Sequence, residues 1–219
     1  MGIEEVKYRS IVKELAAAKV TLVAVSKTHP AEAIRQLYEL GQRDFGENYV
    51  QELVAKQETL PDDINWHFIG HLQSNKVKYI APFVHMIQSV DSEKLLKEID
   101  KQAQKNERTI NVLLQVHIAQ EETKFGLDEN ELAQIMEQPN TFPHVRICGL
   151  MGMASFTENK EQLRKEFSYL KSLFDHYKQA KKWDILSMGM SSDYRMAVEE
   201  GSTLVRIGSL LFGERIYNK

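Results

Sequence analysis

Lys27 is the residue of this sequence with the clearest potential for covalent chemistry. It follows the apolar run Val20–Val25 after a single serine. Alternate side chains of a strand share a face, so Lys27 is expected to point the same way as Val23 and Val25. If that face is the interior of a barrel, partial desolvation lowers the pKa of the amine and makes it a nucleophile. The alternative is an ordinary strand-end lysine whose ammonium group reaches solvent.

A second chemical feature is a pair of loops rich in glycine and serine, SMGMSSD (187–193) and VRIGSLLFG (205–213). Gly189 and Gly208 allow a ligand to approach the backbone closely. Exposed N–H groups at the helix starts that follow favour an anion. The loops also supply three hydroxyl donors, from Ser191, Ser192 and Ser209. The alternative for each loop alone is ordinary turn glycines and capping serines.

A nucleophilic amine opposite a phosphate site predicts Schiff-base chemistry with a carbonyl compound that carries a phosphate. Pyridoxal 5′-phosphate (PLP) fits this pairing, and so does a phosphosugar in an aldolase. The residues alone leave both ligands open.

The elements that must position these residues are short apolar runs separated by segments with helical spacing. Such runs are typical of strands buried on both faces. They are Val20–Val25, Arg43–Gly46, Trp66–Ile69, Val84–Ile87, Ile110–Val116, Val145–Met151, Ile185–Met188 and Leu204–Ile207. Eight alternating units after a leading helix, at about residues 3–18, predict an α/β fold that is a single (β/α)8 TIM barrel.

An open, doubly wound sheet is the alternative to the barrel. The glycine fingerprints of nucleotide-binding versions of that fold are missing from the sequence. Active sites of barrels lie at the carboxyl ends of the strands. That rule selects Lys27, Glu47, Asn48, His71, Lys124, Ser155, Ser191, Ser192, Gly208 and Ser209.

Composition excludes several other classes of protein. The 219 residues carry 28 basic and 31 acidic side chains, a net charge of −3, so a nucleic-acid partner is not expected. We also expect no membrane span, no secretory signal and a cytoplasmic location. The length alone allows one large domain or two small ones, and the eight units that fill it, with no linker or shift in composition, predict one domain over residues 1–219.

Metal chemistry is not expected from the sequence. Cys148 is the single cysteine, and its apolar run predicts a buried small hydrophobe. His67 and His71 form an H-x-x-x-H pattern, but the segment is typical of a strand and lacks the glutamate of a zinc helix. His71 is expected to be a structural histidine or to line the pocket.

Several motifs in order along the chain resemble those of one family. They are AVSKTHP (24–30), FGENYVQE (45–52), WHFIGHLQSNK (66–76), KFGL (124–127), GLMGM (149–153) and the long segment 187–215. From about Val20 to Arg215 the chain resembles the YggS/PROSC family of pyridoxal phosphate homeostasis proteins, which are related to the barrel domain of alanine racemases. His29 and Gly152 depart from the family, where lysine and threonine are common.

The resemblance implies that PLP is the cofactor and that Lys27 binds it as a Schiff base. It implies that Arg206 approaches the pyridine nitrogen and that Asn48 lines the pocket near the ring. It places the phosphate on Ser191, Gly208 and Ser209, with Ser192 a weaker candidate. A guanidinium disfavours a proton on the ring nitrogen and so limits carbanion chemistry.

The implied role is intracellular PLP buffering and delivery rather than catalysis, with apo PLP-dependent enzymes as candidate recipients and a monomer as the expected state. An amino-acid racemase is the main alternative. Alanine racemases of this type carry a further β domain with a catalytic tyrosine, for which we expect no room in 219 residues. Racemisation therefore needs a second base from the barrel, for which Lys124 is the candidate.

Overall fold

The computed structural model of the protein describes residues 3–121, 125–137 and 141–213. Lys124, the candidate second base, and Arg215, the end of the last motif, lie outside these ranges. Among the described residues, none of the helices combines the length and the apolar character that crossing a bilayer requires.

Eight parallel strands close into a barrel in which each strand pairs with the next and the eighth pairs with the first. In chain order, β1 to β8 are Thr21–Val25, Asp44–Glu47, Asn65–Phe68, Met86–Val90, Ile110–Gln115, Val145–Met151, Ile185–Ser187 and Leu204–Ile207. Closure of the sheet confirms the predicted (β/α)8 barrel and excludes the open sheet.

Helices surround the barrel. In the described ranges, α1 to α9 are Glu5–Ala18, Ala31–Glu39, Val50–Gln57, Val77–Ile80, Glu93–Lys105, Glu129–Glu137, Lys160–Lys181, Tyr194–Glu199 and Ser209–Phe212. Local caps explain where some of them begin. Ser92 accepts the backbone N–H of Leu95 at the start of α5, and Asn159 accepts two N–H groups at the start of α7. The leading helix predicted at about residues 3–18 is confirmed as α1.

The predicted bounds match β6 and β8 and fail at β4. The apolar run Val84–Ile87 predicts a strand that ends at Ile87, whereas β4 is Met86–Val90. The strand continues through Gln88 and Ser89, which are polar but almost fully buried. Because these two residues are polar, the apolar run in the sequence ends before the strand does.

The core has two parts, separated by the alternation of side chains along each strand. Val112 and Leu114 pack outwards in the large cluster beneath the helices. Leu113, between them, belongs to a separate small cluster with Cys148 and Met151 in the barrel interior. Cys148 is buried, as predicted.

The seam between β8 and β1 brings two of the candidate segments together. Val23 pairs with Arg206, and Ala24 pairs with Ile207. The loop after β8 therefore begins beside the end of β1. A Cβ atom added to Gly208 would lie only 3.1 Å from the carbonyl oxygen of Val25.

Candidate functional site

Lys27 lies at the carboxyl end of β1, in a turn that is fixed on both sides. The Nζ of Lys56 donates to the carbonyl oxygen of Ser26 at 2.8 Å. The backbone N–H of Thr28 donates to Oε1 of Glu52 at 2.6 Å. Thr28 has a φ of 66°, a left-handed conformation that is uncommon for a residue other than glycine. Two side chains of α3 thus hold the backbone before and after half-buried Lys27.

The groups that hold this turn form one buried ionic cluster. Lys56 Nζ lies 2.6 Å from Oε1 of Glu47 and 2.7 Å from Oε1 of Glu52. The hydroxyl of Ser26 also donates to Glu47, at 2.6 Å. Burial raises the pKa of the Glu47 carboxyl to about 7, although the charge of Lys56 and the hydrogen bonds to Lys56 and Ser26 act in the opposite direction.

The sequence places Glu47 at a strand end but does not connect it with Lys56 or Ser26. Lys56 is separated from Ser26 by 30 positions and occupies the last turn of α3. Burial is the property that distinguishes Lys56 from other lysines of the helices, since lysine is almost never buried unless it is paired. Burial is known only from the structure.

The two loops predicted to bind phosphate are joined by a hydrogen bond. The backbone N–H of Gly208 donates to Oγ of Ser191 at 3.2 Å. Gly189 has a φ of +97°, and a Cβ there would lie 2.6 Å from Cβ of Ala197. Both the conformation and the close packing therefore favour glycine. Ser191 is half-buried.

The other two serines of these loops are exposed. Ser192 lies in the turn before α8, and Ser209 is the first residue of α9. A cavity of about 920 Å³ lies between α1, α7 and α8. Of the seven predicted cofactor-binding residues, Ser191 and Ser192 line this cavity and the other five do not. The cavity thus adjoins both loops that are predicted to bind phosphate, since Leu210 also lines it, and Lys27 is not among its lining residues.

Asn48 follows β2 directly and is half-buried. Its Oδ1 is buried and, among the described residues, accepts no hydrogen bond. Oε2 of Glu47 and Oγ of Ser89 are likewise buried without a partner in the described part of the chain. Three such atoms near the carboxyl ends of β2 and β4 are unusual, because buried polar groups are nearly always hydrogen-bonded. The Asn48 oxygen suits a polar ligand at this end of the barrel, whereas Glu47 is bonded to Lys56 of α3.

Arg206 is buried inside the barrel and uses both terminal nitrogens. Nη1 donates to the hydroxyl of Ser187, and Nη2 donates to the carbonyl oxygen of Gly152 at 2.9 Å. Burial lowers the pKa of the guanidinium to about 10, while the charge of Asp193 acts to raise it. Arg206 therefore stays protonated at neutral pH. Gly152, one of the departures from the family, contacts it directly.

A chain of hydrogen bonds continues from Arg206 across the barrel interior. The Ser187 hydroxyl donates to Oε1 of Gln88 at 2.7 Å. Nε2 of Gln88 lies 2.9 Å from Nδ1 of His67, and Nε2 of His67 lies 3.0 Å from Oδ1 of Asp44. With His67 protonated on Nε2, every donor points from the arginine towards Asp44. Sequence reasoning missed this chain, whose signal is polar residues inside otherwise apolar strands.

The remaining strand-end candidates are held in local interactions. His71 places Nδ1 3.1 Å from Asp91 and stacks on Phe125 with ring centroids 4.1 Å apart. Ser155 donates to Glu166 at 2.7 Å and is buried. These contacts favour structural roles for both residues.

Comparison with known proteins gives consistent matches over nearly the whole chain. The model of the family "Alanine racemase, N-terminal domain" matches residues 7–216. A pyridoxal phosphate homeostasis protein of Aquifex aeolicus is 45% identical over 199 residues, which cover 90% of this chain and 87% of the relative.

Solved structures agree with these matches. PipY of Synechococcus elongatus, solved with PLP bound, superposes with a TM-score of 0.86 at 38% identity and covers 94% of this chain and 98% of its own. An alanine racemase of Clostridium difficile superposes with a TM-score of 0.79 at 15% identity over 99% of this chain and 62% of the racemase. This last likeness shows a shared fold.

Proposed function

Because the chain belongs to the YggS/PROSC family of pyridoxal phosphate homeostasis proteins, which share the alanine racemase N-terminal domain, we propose that it binds PLP at the carboxyl ends of its barrel strands. Its role in this proposal is to hold the cofactor and to pass it on, with apo PLP-dependent enzymes as recipients. The monomeric state and the single domain over residues 1–219 stay predictions.

The observation that carries the proposal is the junction of three segments at one edge of the barrel. Lys27 follows β1, Gly208 follows the neighbouring β8, and the Gly208 N–H is bonded to Ser191 after β7. An amine and two phosphate-type loops therefore meet at one mouth. When bound, PLP supplies an aldehyde that condenses with an amine and a pyridine ring that can withdraw electrons.

The residues present fit this ligand. Lys27 is the amine for the covalent linkage, and its turn is held in place by Lys56 and Glu52. Ser191 and Ser209 donate their hydroxyl hydrogens to the phosphate, with Ser192 as an auxiliary donor, and Gly208 completes the phosphate site as a position where a ligand can approach the backbone closely. The Oδ1 of Asn48 is buried and accepts no hydrogen bond within the described residues, so a polar ligand at this end of the barrel would supply its missing donor.

Arg206 supports binding without strong catalysis. Its guanidinium stays charged at neutral pH although the residue is buried. It can donate a hydrogen bond to the ring nitrogen but has no lone pair to accept one. A cation at that position opposes protonation of the nitrogen and weakens electron withdrawal by the ring. The resting role of the protein is therefore proposed to be retention of the cofactor.

Reduction of the loaded protein with borohydride tests the covalent step. We expect a phosphopyridoxyl adduct on the peptide that contains Lys27, found by mass spectrometry. Lys27→Ala should lose the adduct, whereas Lys165→Ala, which changes an exposed lysine of α7, should retain it. An equal adduct yield in Lys27→Ala contradicts the assignment of the lysine.

Two further assays separate the proposed role from the alternatives. Transfer of cofactor from loaded protein to an apo-enzyme, with a scavenger for free PLP, should proceed if delivery is direct. Incubation with L-amino acids in deuterated water should give no catalytic exchange of the α-proton. Rapid exchange supports the racemase alternative, and an adduct that forms with a phosphosugar but not with PLP supports the aldolase.

A further inference from the structure

The opposite mouth of the barrel holds a cluster of metal-ligating side chains that the proposed function does not use. Asp44 begins β2, His67 lies in β3, and His85 directly precedes β4. One ligand atom from each lies within 4.8 Å of the other two. The imidazole centroids are 5.4 Å apart. Three adjacent strands thus bring two imidazoles and a carboxylate to one point.

The position of the cluster leaves room for further ligands. It borders a cavity of about 380 Å³ at the amino ends of the strands, which Asp184 and Lys19 also line. His85 is exposed, so its ring can turn towards the cavity. Two histidines and one carboxylate, with an open position for water, are the donor set of many zinc sites. We propose that Asp44, His67 and His85 form a binding site for a divalent first-row transition metal, with Zn²⁺ as the probe.

A second observation supports this site, because the buried ligand is oriented from behind. Metal-binding histidines usually donate the N–H of the ring nitrogen that does not contact the metal to a second polar group, which orients the ring. Nδ1 of His67 lies 2.9 Å from the Gln88 amide, which fixes the ring with Nε2 towards Asp44. His67 is only 2% exposed, so its orientation is set before a metal arrives.

Metal binding at Nε2 has a consequence for the chain of hydrogen bonds. The neutral His67 must then carry its proton on Nδ1 and donate it, so the Gln88 amide must present its oxygen. A half-turn of that amide points its nitrogen at the Ser187 hydroxyl, which already accepts a hydrogen bond from Arg206. Occupancy of one mouth therefore changes the polar environment of Arg206. The metal site is independent of the proposed function, whereas any influence of the changed Arg206 environment on bound PLP rests on that function.

Titration of the full-length, PLP-free protein with Zn²⁺ and Co²⁺ tests the site. We expect calorimetry to give one metal per chain. We also expect bound Co²⁺ to show a visible absorption band typical of a low coordination number. His85→Ala should weaken binding by about 100-fold or more, since loss of a single outer-shell partner alone costs about 10–100-fold. His176→Ala, which changes an exposed histidine of α7, is the matched control and should bind like the wild type.

Absence of stoichiometric binding, or equal affinity in all three proteins, overturns the site. Asp44→Asn gives a second test, because it keeps the shape of the side chain and removes its charge, and it should also weaken binding. Nitrogen NMR of His67 tests the coupling: Zn²⁺ should move the proton from Nε2 to Nδ1. A bound metal with an unchanged tautomer overturns the coupling. Because these measurements use PLP-free protein, they are unaffected if the chain fails to bind PLP.

Discussion

Lys56 Nζ lies 2.8 Å from the carbonyl oxygen of Ser26, the residue that precedes Lys27. One buried ammonium group thereby ties the turn of the candidate nucleophile to Glu47 and Glu52. Lys56 does not need to contact a ligand to matter. Its effect is to keep the backbone that carries Lys27 in one place, which makes it a positioning residue.

Lys56→Met tests this role. Breaking a buried ion pair at one partner typically costs about 3–5 kcal/mol of unfolding free energy, because the other charge is left unpaired. Urea unfolding at pH 8 should show a loss of that order. The same variant should give a smaller yield of borohydride-trapped Lys27, whereas Lys56→Arg, which keeps the charge, should restore part of it. If Lys56→Met labels Lys27 as well as the wild type does, the turn is not positioned by Lys56.

The raised pKa of Glu47 predicts a pH dependence of stability. Its carboxyl has a pKa of about 7 in the folded protein against an ordinary value of 4.5. The folded state then binds a proton that the unfolded state has released, so this stabilisation is complete below about pH 4.5 and is lost as pH rises through about 7. Each pH unit between these two pKa values corresponds to about 1.4 kcal/mol of unfolding free energy.

Glu47→Gln removes this titration while keeping a similar shape. Relative to that variant, the PLP-free wild type should lose about 3 kcal/mol of unfolding free energy between pH 4.5 and pH 8. Denaturant titrations at several pH values measure the difference. A wild-type advantage that grows with pH would mean that the ionised carboxylate is the favoured form in the folded state.

Part of this site was predictable because it depends on strand position alone. Lys27, Gly208 and Ser191 follow apolar runs, and the rule that barrel sites lie at carboxyl ends places them at one mouth. Their relation to one another follows from closure between β8 and β1. Alternation along a strand is a short-range pattern that the sequence displays directly.

The rest depends on contacts between distant residues. Gln88 interrupts an apolar run, and only the barrel shows that it faces His67 and Ser187 in the interior. The pairing of Lys56 with Glu47 and Ser26 depends on how α3 packs over β2. Helical spacing tells which residues share a face, but a lysine in a last turn has the same pattern whether it reaches solvent or an inner carboxylate.

The bond between the Gly208 N–H and Ser191 Oγ predicts that Ser191 contributes more to phosphate binding than the exposed Ser192 does. Ser191→Ala removes the link between the loops and a phosphate donor, so PLP should be held more weakly by about 0.5–1.5 kcal/mol. Ser209→Ala should have a similar effect, and the exposed Ser192 a smaller one. Equilibrium dialysis measures the affinities, with Ser172→Ala on α7 as a control. Equal affinity in Ser191→Ala and the control contradicts a phosphate site at this junction.

The charge of Arg206 predicts how reactive the bound cofactor is, which distinguishes a PLP carrier from a PLP-dependent enzyme. Arg206→Gln keeps a side-chain donor in the barrel but removes the cation that opposes protonation of the ring nitrogen. The ring should then withdraw electrons more strongly, which shifts the absorption spectrum of the bound cofactor and increases α-proton exchange from added amino acids. Exchange is followed by NMR in deuterated water, with Arg195→Gln, which changes an exposed partner of Glu14, as the control.

Stability must be measured in parallel, since Ser187 and Gly152 lose donors in the variant. A folded Arg206→Gln protein with an unchanged spectrum and no added exchange places Arg206 away from the ring, and the low reactivity that we propose for the bound cofactor then needs another cause.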